Sequence, residues 1–349
     1  MHDVANRSNN FDALRLIAAL LVIWGHQFAI MGKPVPLLWQ NEPGAVGVVL
    51  FFAISGYLVT LSWLADPNLL RFAVRRALRI WPGLIAAVLL CAAVLGPLVS
   101  TMAPAEYWGH PLTRQYVANL WLDTRYALPG VFDSNPFPSS INGPLWTIPL
   151  EVTCYAALAL LGMLGLAERR NFAPLLLLAL AAALQWRYSP APGQPMPTWS
   201  PLLQYGMMFA VGASLACWRS VWLPHRLLAA VGLVFLLLLL RFAGPAIIGG
   251  QAPLLIIATV GVIWGTASTP VLRQAGRWGD FSYGLYIYAF PVQQLVIWAF
   301  GSQMGFAAAT GLSIAGALLL AALSWHLLEK PFLAFKPRRS PAPATLAAA

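Results

Sequence analysis

The sequence predicts an all-α, polytopic membrane protein, and three observations carry that expectation. Of its 349 residues, 59% are hydrophobic and 9% charged, whereas soluble domains carry about 25% charged residues. Apolar runs recur along the chain at close to bilayer-spanning length. The 21 Lys and Arg residues are also distributed unevenly between alternate connections.

In chain order, the apolar runs fall at 11–31, 45–64, 82–102, 146–166, 172–187, 203–218, 227–242, 252–268, 283–301 and 306–328. With about 20 residues needed per crossing, they predict about ten transmembrane helices. Assigning the connections alternately places sixteen basic residues on the N-terminal side. Five lie opposite: Lys33, Arg114, Arg125, Arg187 and Arg241. The positive-inside rule then puts both termini in the cytoplasm, the expected location being the inner membrane. The net charge of +10 is thus an orientation signal, and no nucleic-acid partner is expected. The polar start MHDVANRSNN lacks a small-residue cleavage site before the first apolar run, so that run reads as a retained span. Residues 1–339 are expected to form one transmembrane domain. The low-complexity tail, 340–349, is expected to be disordered. No internal repeat is evident, which gives an inverted-repeat transporter little support. Cys91, Cys154 and Cys217 lie in apolar runs and read as small buried hydrophobes, not as metal ligands.

Chemistry begins in the first run, FDALRLIAALLVIWGHQF, which holds Arg15 and His26. An ionisable group within a membrane helix is expensive and usually functional. Eleven residues at about 100° each return to about 20° past three turns, so both side chains share one face, roughly 16 Å apart along the axis. Arg71, Arg75, Arg76 and Arg79 follow in RFAVRRALRIWP. This segment reads as the cytoplasmic connection before span three, with Pro82 near the opening of the next helix. Paired guanidinium groups suit a phosphate; anionic lipid head groups would suit such a connection too. Glu151, in NGPLWTIPLEVTCY, falls at a depth similar to His26, about five residues inside the outer end of its helix. A carboxylate there would orient the imidazole. Ser55 and Gly56, in FFAISGYL, read as close helix packing. Asp12 suits a cap or pair, Glu329 a structural pair, and His326 the membrane interface. The long connection 103–145 is expected to face outward. Its Tyr107, Trp108, Tyr116, Trp121 and Tyr126 suit interfacial anchors or platforms for sugar rings. These residues alone fit an enzyme and a transporter or flippase for an anionic or lipid-linked glycan about equally. A non-catalytic scaffold is a third reading.

FDALRLIAALLVIWGH, FFAISGYLVT, RRALRIWP, GPLWTIPLEVTCY, GDFSYGLYIYAFPVQ and LSWHLLEKPF together resemble, in order, the membrane-bound acyltransferase-3 family, across residues 8–335. The resemblance implies transfer of an acyl group, commonly acetyl, from acyl-CoA to a hydroxyl of an extracytoplasmic carbohydrate or lipid-linked glycan. Acetyl-CoA or another acyl-CoA would be a co-substrate, with no permanently bound cofactor and no metal. Arg15 and His26 match the family's functional pair, with His26 as general base or acyl carrier. Arg76 and Arg79 match its Arg-x-x-Arg element, with Arg75 and Arg15 nearby for the donor's phosphates, and Glu151 matches its span-four glutamate. Two positions depart: Val152 stands where many members have a second carboxylate, and Ala289 where many have a His.

Overall fold

The computed structural model describes residues 9–187, 200–240, 242, 251–301 and 303–337. The tail 340–349 and Arg7, Arg241, Arg338 and Arg339 lie outside the described residues. Helix α1 covers Phe11–Ile30, α2 Pro43–Leu64 and α3 Leu69–Val99. Two short helices follow, α4 at Pro104–Gly109 and α5 at Pro111–Tyr116. Helix α6, Gly143–Met163, opens with a tighter 3-10 turn. Then come α7 (Phe172–Arg187), α8 (Ser200–Cys217), α9 (Arg226–Leu240) and α10 (Ala252–Gly265). Helices α11 (Ser282–Phe300) and α12 (Phe306–Ala334) close the bundle. Among the described residues, six helices are long and apolar enough to cross a membrane: α1, α2, α3, α6, α12, and α9 with the residues leading into it from Arg219. Helices α7, α8 and α10 contain shorter apolar stretches. The protein is an integral membrane protein.

Helix α2 is the centre of the bundle. It is apolar on every side, as a helix surrounded by protein must be, and it packs against α1, α8 and α10. Small residues let it approach closely. A Cβ on Gly56 would overlap the carbonyl oxygen of Phe209 in α8, and one on Gly212 in α8 would overlap that of Ala53. On the other side, a Cβ on Gly47 would meet the carbonyl of Ala18 in α1 at 2.5 Å. Helix association in lipid relies on this close fit, because no hydrophobic drive separates helix from tail. Gly56 therefore serves packing as its sequence suggests, while its neighbour Ser55 is a hydrogen-bond donor in the site described below. By contrast, α9 contributes no buried residue, which suits a helix facing lipid.

Two expectations are corrected. The arginine segment 71–79 is not a connection but the first turns of α3, which starts at Leu69. Asn68 caps it, its side chain accepting from the Arg71 backbone N–H at 2.9 Å. The apolar run alone could not show this, because the first turns carry a polar face as well as an apolar one. Pro82 consequently lies inside the helix. Nor does the connection 103–145 lie wholly beyond the helix ends. Its first part packs along α3, where the chain widens into a π turn over Leu90–Leu95. A π-turn bond to Ala92 would come from residue 97, which is proline and has no N–H. The Tyr107 hydroxyl donates to that carbonyl instead, at 2.7 Å. Further down, the Trp81 indole donates to the Leu120 carbonyl at 3.2 Å. Tyr107 and Tyr116 are fully buried, so they are neither interfacial anchors nor sugar platforms; Trp108 and Trp121 are exposed.

The Gly56 contact gives a direct check on this packing. Gly56→Ala must push α8 outward or distort α2, and overpacking of this kind costs about 1–3 kcal/mol. The thermal midpoint in detergent should fall measurably; an unchanged midpoint would show that the two backbones can part freely.

Candidate active site

Three cavities run through the bundle, each sharing wall residues with the next. The mouth, about 340 Å³, is lined by Asp12 and Arg15 of α1, Arg76 and Arg79 of α3, Asp280, Trp325 and Lys336, among others. The middle cavity, about 100 Å³, shares Arg15, Leu58, Arg76 and Arg79 with the mouth. It adds Ser55, Glu151, Tyr155, Tyr283 and Tyr286. The third, about 190 Å³, shares Val48 and Tyr286 with the middle one. It contains His26, Glu42, Trp146 and Tyr205. Arg15 and His26 thus both face the interior path, one at each end, as their common helical face predicted.

The mouth holds four cationic side chains against two carboxylates. Asp280 is the shared counter-ion. The Arg79 Nη2 donates to it at 2.7 Å, and the Arg15 Nη1 lies 3.7 Å from the same oxygen. Arg15 also bonds to Asp12 at 3.3 Å. Arg79 has a second carboxylate, Glu329, at 3.7 Å, and its guanidinium lies over the Tyr283 ring. Burial pushes the Asp280 carboxyl up, but Arg79, Arg15 and the bonds from Ser282 outweigh it and hold it at about 2. Asp280 therefore stays ionised and only partly offsets the arginines. Among the described residues, Arg76 forms no salt bridge; its guanidinium lies 5.9 Å from the ring centroids of Phe72 and Tyr155, and its Nε is buried with no hydrogen-bond partner. Buried donors without partners are uncommon and call for an explanation. A guanidinium open on one side is suited to a polyanion.

Glu151 is not placed beside His26. Its carboxylate accepts from the Ser55 hydroxyl at 3.0 Å and from the Tyr155 hydroxyl, and it lines the middle cavity only. Equal depth was a sound expectation, but depth along two helices does not fix which faces meet. His26 instead packs edge-to-face with the Phe290 ring, centroids 5.2 Å apart, and the carboxylate in its cavity is Glu42. Arg75, by contrast, does not line these cavities. It turns away from the cavities to Asp66, to which Arg71 also donates through Nε at 3.0 Å. Its own Nε donates to the Arg71 carbonyl at 3.1 Å. These contacts make a clamp across the α2–α3 connection. Arg76 and Arg79, adjacent on the helix, do reach the path. Ala289, one of the two departures, is packed among Ala19, Ile23, Leu285, Ala317 and Ala321, away from the cavities. Glu329, expected to form a structural pair, accepts from Ser324 at 2.9 Å besides approaching Arg79. Sequence reasoning did not single out Asp280, Tyr155, Tyr286 or Glu42. Asp280 was visible within GDFSYG, but nothing local says that it meets residues some two hundred positions earlier.

The structure is thus a membrane-embedded helical bundle in which a cation-rich opening and a histidine-containing cavity are linked by shared wall residues. The chain belongs to the acyltransferase-3 family: the family described as "Acyltransferase domain" matches residues 8–325. It is 33% identical over 334 residues to an O-acetyl transferase of Shigella phage Sf6, covering 94% of this chain and 97% of that one. It is also 28% identical over 367 residues to Nodulation protein 10 of Rhizobium leguminosarum bv. viciae, covering 93% and 92%. No solved structure matches the chain.

The Asp66 clamp gives a pH signature. Hydrogen bonds from Arg71, with Arg75 adding its charge, hold the Asp66 carboxyl down at about 2, below the usual value near 3.9. Its stabilising contribution is therefore full above about pH 4 and is lost as pH falls toward 2. Asp66→Asn should be less stable than the native chain at neutral pH, and the gap should close over that acid range. A gap that stays constant with pH would contradict the clamp.

Proposed function

We propose that this protein moves an acyl group, acetyl above all, from an acyl-CoA entering at the Arg15 end to a glycan or glycolipid hydroxyl at the His26 end. The observation that carries this reading is the linked path from a cation-rich mouth to an imidazole. The reading adds ten crossings, one for each helix except the short α4 and α5, and places the Arg15 end and both termini in the cytoplasm by the positive-inside bias of the sequence. The membrane is then the inner, cytoplasmic one.

In this mechanism Arg76, Arg79 and Arg15 receive the phosphates of the donor. Arg76 brings an uncommitted guanidinium, and the other two share Asp280. Charge-assisted bonds of this type are the strong ones, and Arg presents them in pairs. The donor's thioester arm passes Ser55, Glu151 and Tyr155, and Tyr286 stands at the passage to His26. A neutral His26 accepts the hydroxyl proton of the acceptor while that oxygen attacks the thioester carbonyl. The carbon–sulfur bond then breaks, and the imidazolium returns the proton to the leaving thiolate. Glu151 acts on the donor's path and not on the His26 tautomer.

Thiol release separates this from movement of an unmodified glycan. With acetyl-CoA and acceptor present, the native protein in nanodiscs should liberate free CoA, and His26→Ala should abolish the release while membrane yield stays normal. Full activity in His26→Ala ends the base assignment, and glycan transport without thiol release ends the transferase reading. Arg76→Gln should raise KM for acetyl-CoA about tenfold or more, the scale of a lost charge-assisted bond. Arg75→Gln should lower the thermal midpoint and leave that KM unchanged.

A further inference from the structure

The third cavity has a different character from the mouth, and this difference specifies what enters from the far side. We infer that Glu42, Trp146 and Tyr205 form an acceptor subsite for an uncharged, hydroxyl-rich sugar ring, with Glu42 orienting the ring's hydroxyls and excluding acidic sugars. This rests on the transferase reading for its role, but its binding chemistry stands on separate residues.

The mouth is lined by four cations, whereas among the described residues Glu42 is the one carboxylate lining the His26 cavity and no Lys or Arg lines it. Among the described residues no ion pair or hydrogen bond engages the Glu42 carboxylate, and the residue is exposed at the start of α2. A free carboxylate accepts hydrogen bonds from neutral hydroxyls and repels a second carboxylate. The walls supply the complementary surface. Trp146 and Tyr205 lie with ring centroids 5.5 Å apart and planes inclined by 57°, and Tyr286 closes the inner side. Aromatic faces pair with the apolar C–H faces of a ring whose edge carries hydroxyls, as amphipathic rings favour one dry and one polar surface. Gly25 and Gly44 help to form the remaining wall, where a Cβ on Gly25 would come within 2.9 Å of the Gly44 nitrogen.

The backbone leading to Glu42 supports the assignment. Trp39 and Gln40, both non-glycine, have φ of 47° and 60°, in a two-residue turn closed by pairing of Leu38 with Asn41. Consecutive left-handed residues of this kind cost free energy and persist where the surroundings over-determine them. Their turn, separated from Glu42 by Asn41 alone, fixes where the chain enters α2, and hence where the carboxylate stands relative to His26. Glu42 is not needed to start the helix. It makes no side-chain cap bond, and its backbone carbonyl, which accepts from Val46 at 3.1 Å, is unaffected by side-chain changes.

The test uses the full-length protein in nanodiscs and a panel of methyl glycosides of neutral hexoses and 6-deoxyhexoses, each paired with uronides. Saturation-transfer NMR reads binding without turnover. At least one neutral glycoside should give a strong signal and its paired uronide a weak one. Glu42→Gln should weaken neutral-glycoside binding and raise the KM for that acceptor about tenfold. It should also narrow the preference over the uronide, with the KM for acetyl-CoA within twofold of native and an unchanged thermal midpoint. Trp146→Ala should abolish the signal. The subsite is overturned if no neutral glycoside binds, if uronides bind equally well, or if neither substitution alters binding. Binding that follows this pattern without any thiol release would retain the subsite and reject the transferase. Transfer that is indifferent to both substitutions would do the reverse.

Discussion

The structure depends on how three arginines can be held together inside a membrane bundle. A single charged side chain at the centre of a spanning helix costs about 2.5–3.5 kcal/mol on insertion scales, and Arg15, Arg76 and Arg79 line one continuous wall. Asp280 makes the arrangement tenable. Standing at the entry to α11, it joins Arg15 of α1 to Arg79 of α3, and Glu329 of α12 approaches Arg79 as a second, weaker partner. Four helices therefore meet at one electrostatic node, and the aromatic ring of Tyr283 covers part of it. Removing one member of such a buried group leaves its partner uncompensated, which is costlier than the group is stabilising. The node consequently restricts how these helices can move apart.

The compensation is incomplete, and the deficit is where function enters. Full neutralisation would leave the mouth with no attraction for an anion, and no neutralisation would leave the helices repelling one another. Sharing Asp280 between two guanidinium groups, with Asp12 beside Arg15 and Glu329 near Arg79, sits between these limits, while Arg76 is left to aromatic rings that lower its cost without occupying its donors. A polyanionic carrier can complete what the protein leaves unfinished. Glu151, tied to Ser55 and Tyr155 one step further in, limits how far the excess positive charge extends. Beyond Tyr286 the sign changes: among the described residues lining that cavity, the ionisable groups besides the tyrosines are one imidazole and one carboxylate. The path is therefore graded, cation-rich at the Arg15 end and mildly negative at the His26 end.

Much of this was legible in the chain because helical periodicity and hydropathy are local. The shared face of Arg15 and His26 follows from eleven residues of spacing, and each apolar run lies in a helix whose ends, the start of α3 apart, are displaced by a few residues. The start of α3 was misplaced because Arg71, Arg75, Arg76 and Arg79 depress hydropathy while retaining good helix propensity. Asn68 was the available signal, as a capping residue ahead of the basic turn. The split of the arginines into a clamp (Arg71, Arg75) and a cavity wall (Arg76, Arg79) was not legible, since it depends on where Asp66 and Asp280 lie in space. The same holds for Glu151, whose depth was correct and whose neighbours were not. Tyr107 was unreadable for another reason: its partner, the Ala92 carbonyl, is set by a π turn that no side chain announces, although Pro97 hints at it.

These misses share a physical origin that bears on the chemistry. In a soluble enzyme, hydropathy separates buried from exposed, so a buried polar residue stands out. In a membrane bundle the outer surface is also apolar, and the residues that line an interior path differ from lipid-facing ones only by azimuth on the helix. Azimuth becomes readable when two functional groups on one helix constrain each other, as Arg15 and His26 do, and is lost when one group stands alone, as with Glu151. Glu42 is the limiting case. It sits outside any apolar run, in a connection too short to attract notice, and its position is fixed by two left-handed residues before it and a proline after it. The conformational cost of that turn is a sounder guide to its importance than its composition, because composition alone would assign it to an ordinary surface loop.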